Sequence, residues 1–454
     1  MEIERITKAH FIGVGGIGVS AILRLFASRG IIVSGTDMAT IDTHALPSGT
    51  YHNGHDAEYV PPDADVVIYS PAAGESNIER MTARAMNIPE LSYPEALGMV
   101  TKPYNTIAIS GTHGKSTTTA LMGKLFEAGG FDPSVIVGAE VPGWDHNLRI
   151  GTRNCFIVEA CEYRRAMMNL APQTIVLTNL ELDHPDYYKD LRDIKNAFHE
   201  YVGKLGEEGL LVMNNDDANI REVVADFDGV IVRYGVGEGA DLIARNIQTT
   251  ASGQTFDLTW KGTPLGTFNT TLPGLYNIYN ILAGVATYLT YGGQQEMITP
   301  TLESFEGIGR RFEIIGTLGN VTIISDYAHH PTALRAVTEA AALRFPNKRI
   351  LTIFRPHHRE RTIKLFDQFV ETISGIPDIL LLEIYDVAGR EEGVMISSKE
   401  IITKVLEQNP NAHIVYAENL EEAERIARTI QNDFDVMLVV GAGDTDLLAK
   451  RLLK

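Results

Sequence analysis

Residues Gly111 to Thr119 read GTHGKSTTT, directly after the apolar run Ile107 to Ile109 and at the head of an apolar-periodic segment. That order spells a strand, a glycine-bearing turn and a helix start. Backbone N–H groups freed at such a turn point the same way, and with the positive helix end they seat phosphate oxygens. Lys115 can neutralise phosphate charge, and the Ser116 hydroxyl is placed to ligate magnesium. The stretch departs from a strict Walker A pattern, which needs glycine where this chain has Ile109. A bare GKS is as often an ordinary helix-opening turn, so its neighbours decide the reading.

The next two apolar runs are CFIVEA, ending in Glu159, and TIVLTNLELDH, ending near Asp183 and His184. Both read as buried parallel strands. In an open parallel sheet the ligand crevice lies outside the carboxyl ends of the strands, so Lys115, Ser116, Glu159 and His184 should converge on one edge. Taken singly, Glu159 reads as a helix cap and His184 as a structural histidine. Facing a phosphate loop together, they read as a magnesium seat, because that ion keeps several waters and takes few protein ligands.

A second glycine loop, GVGGIG, follows the short strand Ala9 to Ile12. Gly13, Gly15 and Gly18 satisfy G-x-G-x-x-G, and Asp37 closes the next strand at the ribose-binding spacing. NAD, another pyrophosphate and simple tight packing all fit this loop. Two further loops, SDYAHHPTA at Ser325 to Ala333 and FRPHHRERT at Phe354 to Thr362, each follow a strand and precede a helix. Asp326, Tyr327, His329, His330, His357, His358, Arg359 and Arg361 thus lie at neighbouring strand ends, a setting for recognising anions and amines.

These loops need a sheet apiece to hold them, and the chain of 454 residues is long enough for about three domains. The expected fold class is α/β: a Rossmann-like N-terminal domain over 1–101, a central P-loop-type ATPase domain with a mostly parallel sheet over 102–309, and a C-terminal doubly wound, Rossmann-like domain over 310–454. TKPYN at Thr101 to Asn105 has linker composition. No apolar run approaches the ~20 residues of a membrane span, and MEIERITKAH lacks an apolar signal core, so a cytoplasmic protein is expected. Cys155 and Cys161 lack metal-ligand spacing and argue against a disulfide framework. A net charge of −19 excludes a nucleic-acid surface, while Arg310 with Arg311 and Arg355 to Arg361 leave room for a small anionic ligand.

Taken in order, HFIGVGGIGVS with SGTD, GTHGKSTTT, TNLELDH, GIGRRFE, SDYAHHPTA, PHHRERT with LFDQF, and the final GAGD resemble the motifs of the Mur ligases, a three-domain family that builds peptidoglycan precursors by ATP-driven amide formation. The resemblance spans the whole chain and is nearest to members that add L-alanine to UDP-N-acetylmuramate. It implies that Gly13, Gly15, Gly16, Ile17, Gly18, Asp37 and Ser70 hold the sugar nucleotide rather than NAD. It further implies that Gly111, Thr112, His113, Gly114, Lys115, Ser116 and Thr117 take the ATP phosphates, Asn280 the adenine, and Arg311 and Asp326 the remaining nucleotide groups. Ser116, Glu159 and His184 would hold Mg2+, with Mn2+ as an alternative ion, and Tyr327, His329 and Arg361 would face the amino acid. Lys115, His329 and Arg361 would act in catalysis, with His329 as the base if its pKa is near neutral. Two other readings stand beside this one: a recycling ligase that joins an intact tripeptide to the same sugar nucleotide, and a nicotinamide-dependent oxidoreductase using Gly13 to Asp37. The chain departs from the family pattern at Tyr276, His358 and Cys161.

Overall fold

A computed structural model describes residues 2–385 and 395–454. Its strands form three sheets, one after another along the chain. The first runs in the order Thr50–Asn53, Ile32–Asp37, Lys8–Ile12, Val66–Tyr69, Glu90–Ser92, all parallel. Its order reverses between Lys8–Ile12 and Val66–Tyr69, which opens a crevice above those two strands. The glycine loop sits there, between the strand Lys8–Ile12 and the helix Ile17–Ser28.

The central sheet has ten strands. Asn105–Ser110 lies between Cys155–Glu159 and Thr174–Leu177, parallel to both, so the loop after it is flanked by the ends of the two strands read as its partners. Leu242–Thr250, Gly253–Trp260 and Thr263–Thr270 add an antiparallel edge. The third sheet has six strands in the order Glu313–Leu318, Val321–Asp326, Val436–Val440, Ile350–Phe354, Asp378–Leu382, His413–Ala417. Five are parallel, as their alternation with helices predicts, and Glu313–Leu318 is an added antiparallel edge.

One difference from the sequence reading matters for the site. The run TIVLTNLELDH is a strand only over Thr174–Leu177. From Thr178 onward its polar groups bond to the phosphate loop instead of continuing the ladder: Asn179 Oδ1 accepts from His113 N at 2.9 Å and the Thr178 hydroxyl donates to His113 O at 2.6 Å.

The helix Lys115–Ala128 that backs the loop is almost wholly buried, although its first turns hold three threonines. Each buried hydroxyl must find an acceptor. Thr119 donates to Lys115 O at 2.8 Å, and Thr118 donates to Asn280 Oδ1 at 3.2 Å, tying this helix to the helix Leu275–Thr290. Cys155 and Cys161 are free thiols. Among the described residues no helix is long and apolar enough to cross a membrane.

Candidate active site

The phosphate loop gets its shape from two glycines. Gly111 has φ +133° and Gly114 has φ +83°, a region that side chains with a Cβ avoid. Space forbids a Cβ as well: at Gly111 it would lie 2.2 Å from the Thr178 hydroxyl, and at Gly114 2.2 Å from Asn280 Oδ1. Asn280 is therefore pressed against the loop, with its amide nitrogen donating to Asn277 Oδ1 at 3.1 Å. Gly114→Ala would combine left-handed strain with that clash. Strain of ~1–2 kcal/mol corresponds to a roughly tenfold rise in KM for ATP, read by steady-state phosphate release.

Lys115 Nζ donates to the carbonyls of Gly111 at 2.5 Å and Thr112 at 3.0 Å, and pairs with Glu162 at 2.8 Å. Burial works against the ammonium, but the adjacent Glu162 holds its pKa above the ordinary value. Glu162 is itself 1% exposed and also meets His184 Nε2 at 3.3 Å. Burial would push its carboxyl up, yet Lys115 and His184 overrule it and bring the pKa down to about 2. Glu162 lies within EACEY, three positions after Glu159, but nothing in that spacing marks it as the partner of Lys115.

The expected metal ligands divide into two contacts. Ser116 Oγ donates to Glu159 Oε2 at 3.2 Å, while His184 faces Glu162. Glu159, Glu162 and His184 do not gather as three donors around one point; among the described residues the group that does is His113, Glu181 and His330. Burial pushes the Glu159 carboxyl above its ordinary value, against the Gly138 N–H, Lys115 and Ser116. A half-buried carboxylate in contact with a hydroxyl at the head of a helix has the oxygen donors that suit a hard dication. His184 has φ +51° although Pro185 follows it, and Asp183 Oδ1 accepts its N–H at 2.7 Å.

The third domain approaches from the other side. Arg361 donates from Nε to Asp183 Oδ1 at 2.8 Å, and its Nη2 lies equally near the same oxygen, both side chains being buried. Lys364 Nζ donates to Pro185 O at 3.0 Å, His330 Nε2 to Leu182 O at 3.2 Å, and the Thr332 hydroxyl to Glu181 Oε2 at 2.9 Å. The segment 181–185 is thus a docking strip joining the two domains.

Asp326 spends both oxygens on backbone: Oδ2 accepts from Phe312 N and Oδ1 from Ala328 N, each at 2.7 Å. This fixes the strained turn in which Arg310 and Phe312 have φ of +58° and +48°. Arg311 is held in the same turn, its guanidinium 4.9 Å from the centre of the Tyr327 ring. Tyr276 packs against the third-domain core, and His358, 3% exposed, opens the helix Arg359–Lys364. His329 donates from Nδ1 to Tyr327 O at 2.9 Å and its ring lies beside His357. The structure parts from the expectation of a near-neutral His329. Burial, with Arg361 and His357 nearby, drives its pKa well below the ordinary value, so the imidazole stays neutral and is a weak base.

In the first domain Gly13 has φ +90°, and a Cβ there would lie 2.8 Å from that of Ser70. Gly15 N donates to Asp37 Oδ2 at 2.8 Å, so the carboxylate folds over the loop. A Cβ on Gly18 would meet the Tyr93 ring at 2.7 Å, and one on Gly16 would lie 3.3 Å from Gly13 O. Ile17, the first residue of the helix Ile17–Ser28, lines a cavity of about 1190 Å³ whose other lining residues belong to the central and third domains. Residues 112–117, Glu159, Cys161, Glu162, His184, Tyr276, Asn280, Arg311, Asp326, Tyr327, His329 and Arg361 line the same cavity.

The chain matches three family descriptions in succession: Mur ligase family, catalytic domain, over residues 8–105; Mur ligase middle domain over 109–288; and Mur ligase, glutamate ligase domain, over 310–443. It is 34% identical to a UDP-N-acetylmuramate–L-alanine ligase of Alkaliphilus metalliredigens, covering 100% of this chain and 98% of that one. It is 36% identical to one of Clostridium acetobutylicum, covering 98% and 97%. Among solved structures, the UDP-N-acetylmuramate–alanine ligase of Thermotoga maritima superposes with a TM-score of 0.82 at 25% identity, covering 98% of both chains. The murein peptide ligase of Psychrobacter arcticus shares the fold at a TM-score of 0.74 and 22% identity, again over 98% of both. With full-length relatives at this identity and all three of its sheets accounted for, the chain belongs to the Mur ligase family.

Proposed function

We propose that the protein joins L-alanine to the carboxylate of UDP-N-acetylmuramate, using ATP and passing through an acyl phosphate. The observation that carries this reading is the single cavity onto which the phosphate loop, Glu159 and the third-domain residues Arg311, Tyr327, His329 and Arg361 all open. The names of the full-length relatives support the same substrates. Three units, 1–101 for the sugar nucleotide, 102–309 for ATP and 310–454 for the amino acid, are supported by one sheet falling within each.

Phosphorylating the muramate carboxylate brings two anions together, so positive charge must stand between them. Lys115 and the amides of residues 111–117 supply it from the protein. Mg2+ bound at Ser116 and Glu159 would add Lewis-acid charge at the phosphate oxygens, and Mn2+ suits the same donors. Glu162, itself in contact with His184, pairs with Lys115 and keeps its ammonium fixed. The acyl phosphate then meets the amine of alanine, which arrives from the side of Tyr327, His329 and Arg361. Docking of the third domain on 181–185 keeps water from that intermediate. With His329 a weak base, deprotonation of the alanine amine falls to solvent before attack.

The deciding experiment supplies purified protein with UDP-N-acetylmuramate, ATP and Mg2+, and follows phosphate release with either L-alanine or L-alanyl-γ-D-glutamyl-diaminopimelate. Release that depends on alanine is expected; release with the tripeptide alone overturns the assignment. Glycine, smaller by one methyl, is expected to serve with kcat/KM lower by about 10- to 150-fold.

A further inference from the structure

His113, Glu181 and His330 come from three separate stretches of chain: the phosphate loop, the docking strip and the start of the helix Pro331–Arg344. His113 Nε2 bonds to Glu181 Oε1, and His330 Nδ1 lies 3.6 Å from that same oxygen. All three donor atoms fall within 4.8 Å of one another. Two imidazole nitrogens and one carboxylate oxygen are a donor set favoured by Zn2+ and its neighbours rather than by Mg2+.

The supporting bonds are arranged as metal ligands require. A carbonyl can only accept, so the 3.2 Å contact of His330 Nε2 with Leu182 O puts the ring proton on Nε2 and leaves the Nδ1 lone pair facing Glu181. That lone pair takes only a long 3.3 Å contact from Thr332 N. The second oxygen of Glu181 is held by the Thr332 hydroxyl at 2.9 Å, which orients the first. Ligands of a tetrahedral zinc ion at ~2.0–2.1 Å stand about 3.3 Å apart, close to the 3.6 Å that separates His330 Nδ1 from Glu181 Oε1. His113 and Glu181 line the large cavity, so a fourth position would open towards it.

We propose that His113, Glu181 and His330 form a three-ligand site for a transition-metal dication of the zinc class, separate from the Ser116–Glu159 seat, whose occupancy pins the third domain to the phosphate loop. Because both domains supply ligands, the ion ties together parts that must separate for substrates to enter. Its effect on turnover is therefore inhibitory.

The test titrates chelator-treated full-length protein with Zn2+ by calorimetry in excess Mg2+, which saturates the oxygen-donor seat, and repeats it with Co2+ followed by visible absorption. One saturable equivalent is expected, with the intense visible bands of four-coordinate cobalt carrying nitrogen ligands. Glu181→Gln and His330→Ala should each weaken Zn2+ binding more than tenfold, and Thr332→Val, which removes only a supporting hydroxyl, by about tenfold. Absence of saturable binding, or binding unaltered in all three variants, overturns the proposal and leaves His113 and Glu181 as a hydrogen-bonded pair. The binding readout does not depend on the substrates of the enzyme, so its failure is distinguishable from failure of the ligase reading.

Discussion

Lys115→Ala is expected to lower the rate of phosphate release by about a thousandfold, the scale lost when a fixed donor to developing charge is removed. Lys115 stands between the loop carbonyls of Gly111 and Thr112 and the carboxylate of Glu162. In place of the ammonium, alanine leaves the attacking carboxylate and the γ-phosphate to repel each other across a poorly solvated gap. A second consequence separates the chemistry from the fold. Glu162 is 1% exposed, and losing Lys115 leaves it with His184 alone, a penalty of about 3–5 kcal/mol for a broken buried pair. The double variant Lys115→Met with Glu162→Gln replaces the pair by neutral groups and should recover most of that stability in denaturant melts, without recovering activity. A Lys115→Ala protein that releases phosphate at the parent rate would refute the role given to the loop.

Arg361→Ala is expected to be the next most damaging change. It removes the partner of Asp183, and the two side chains are only 5% and 4% exposed. Stranding that carboxylate costs the docked state about 3–5 kcal/mol, and kcat should fall by at least about a hundredfold because docking assembles the amine side of the site. The pH dependence gives an independent signature. In the parent, burial would raise the Asp183 pKa, but Arg361, with His184 beside it, carries it well below the ordinary value. A depressed folded pKa stabilises fully above the unfolded value of about 3.9 and fades as pH falls through the folded one. Without Arg361 burial dominates and the sign reverses: the folded pKa rises above the unfolded one, and stability is lost as pH climbs through it. Melts of the two proteins from pH 7 to pH 3 should therefore converge towards acid. A gap that stays constant over that range would show that Asp183 does not carry the effect.

How much of this was legible depends on the length scale of each feature. The phosphate loop could be read because glycines, a lysine and hydroxyls lie within nine residues, and the strand before them and the helix behind them are written in local periodicity. The same holds for the parallel strands of the third sheet. The end of the strand Thr174–Leu177 could not be read. Its continuation, TNLELDH, is apolar enough to extend a strand, but the loop beside it offers His113 and Thr112 as partners for its polar groups. The pairing of Glu162 with Lys115 escaped for a related reason, since the backbone between Glu159 and Glu162 leaves the strand and no regular period relates the two carboxylates.

By itself, then, the amino-acid sequence determined the three α/β units and the glycine loop between strand and helix, because each rests on residue types a few positions apart, while nucleotide-driven amide formation is what the resemblance of the ordered motifs implies. Tertiary structure alone decided which charges are paired and how strongly their pKa values move. Arg361 meets Asp183 across 178 residues of chain, and His330 meets the docking strip across 148. Burial makes such charges costly without a partner, and the partner is chosen by where the sheets pack.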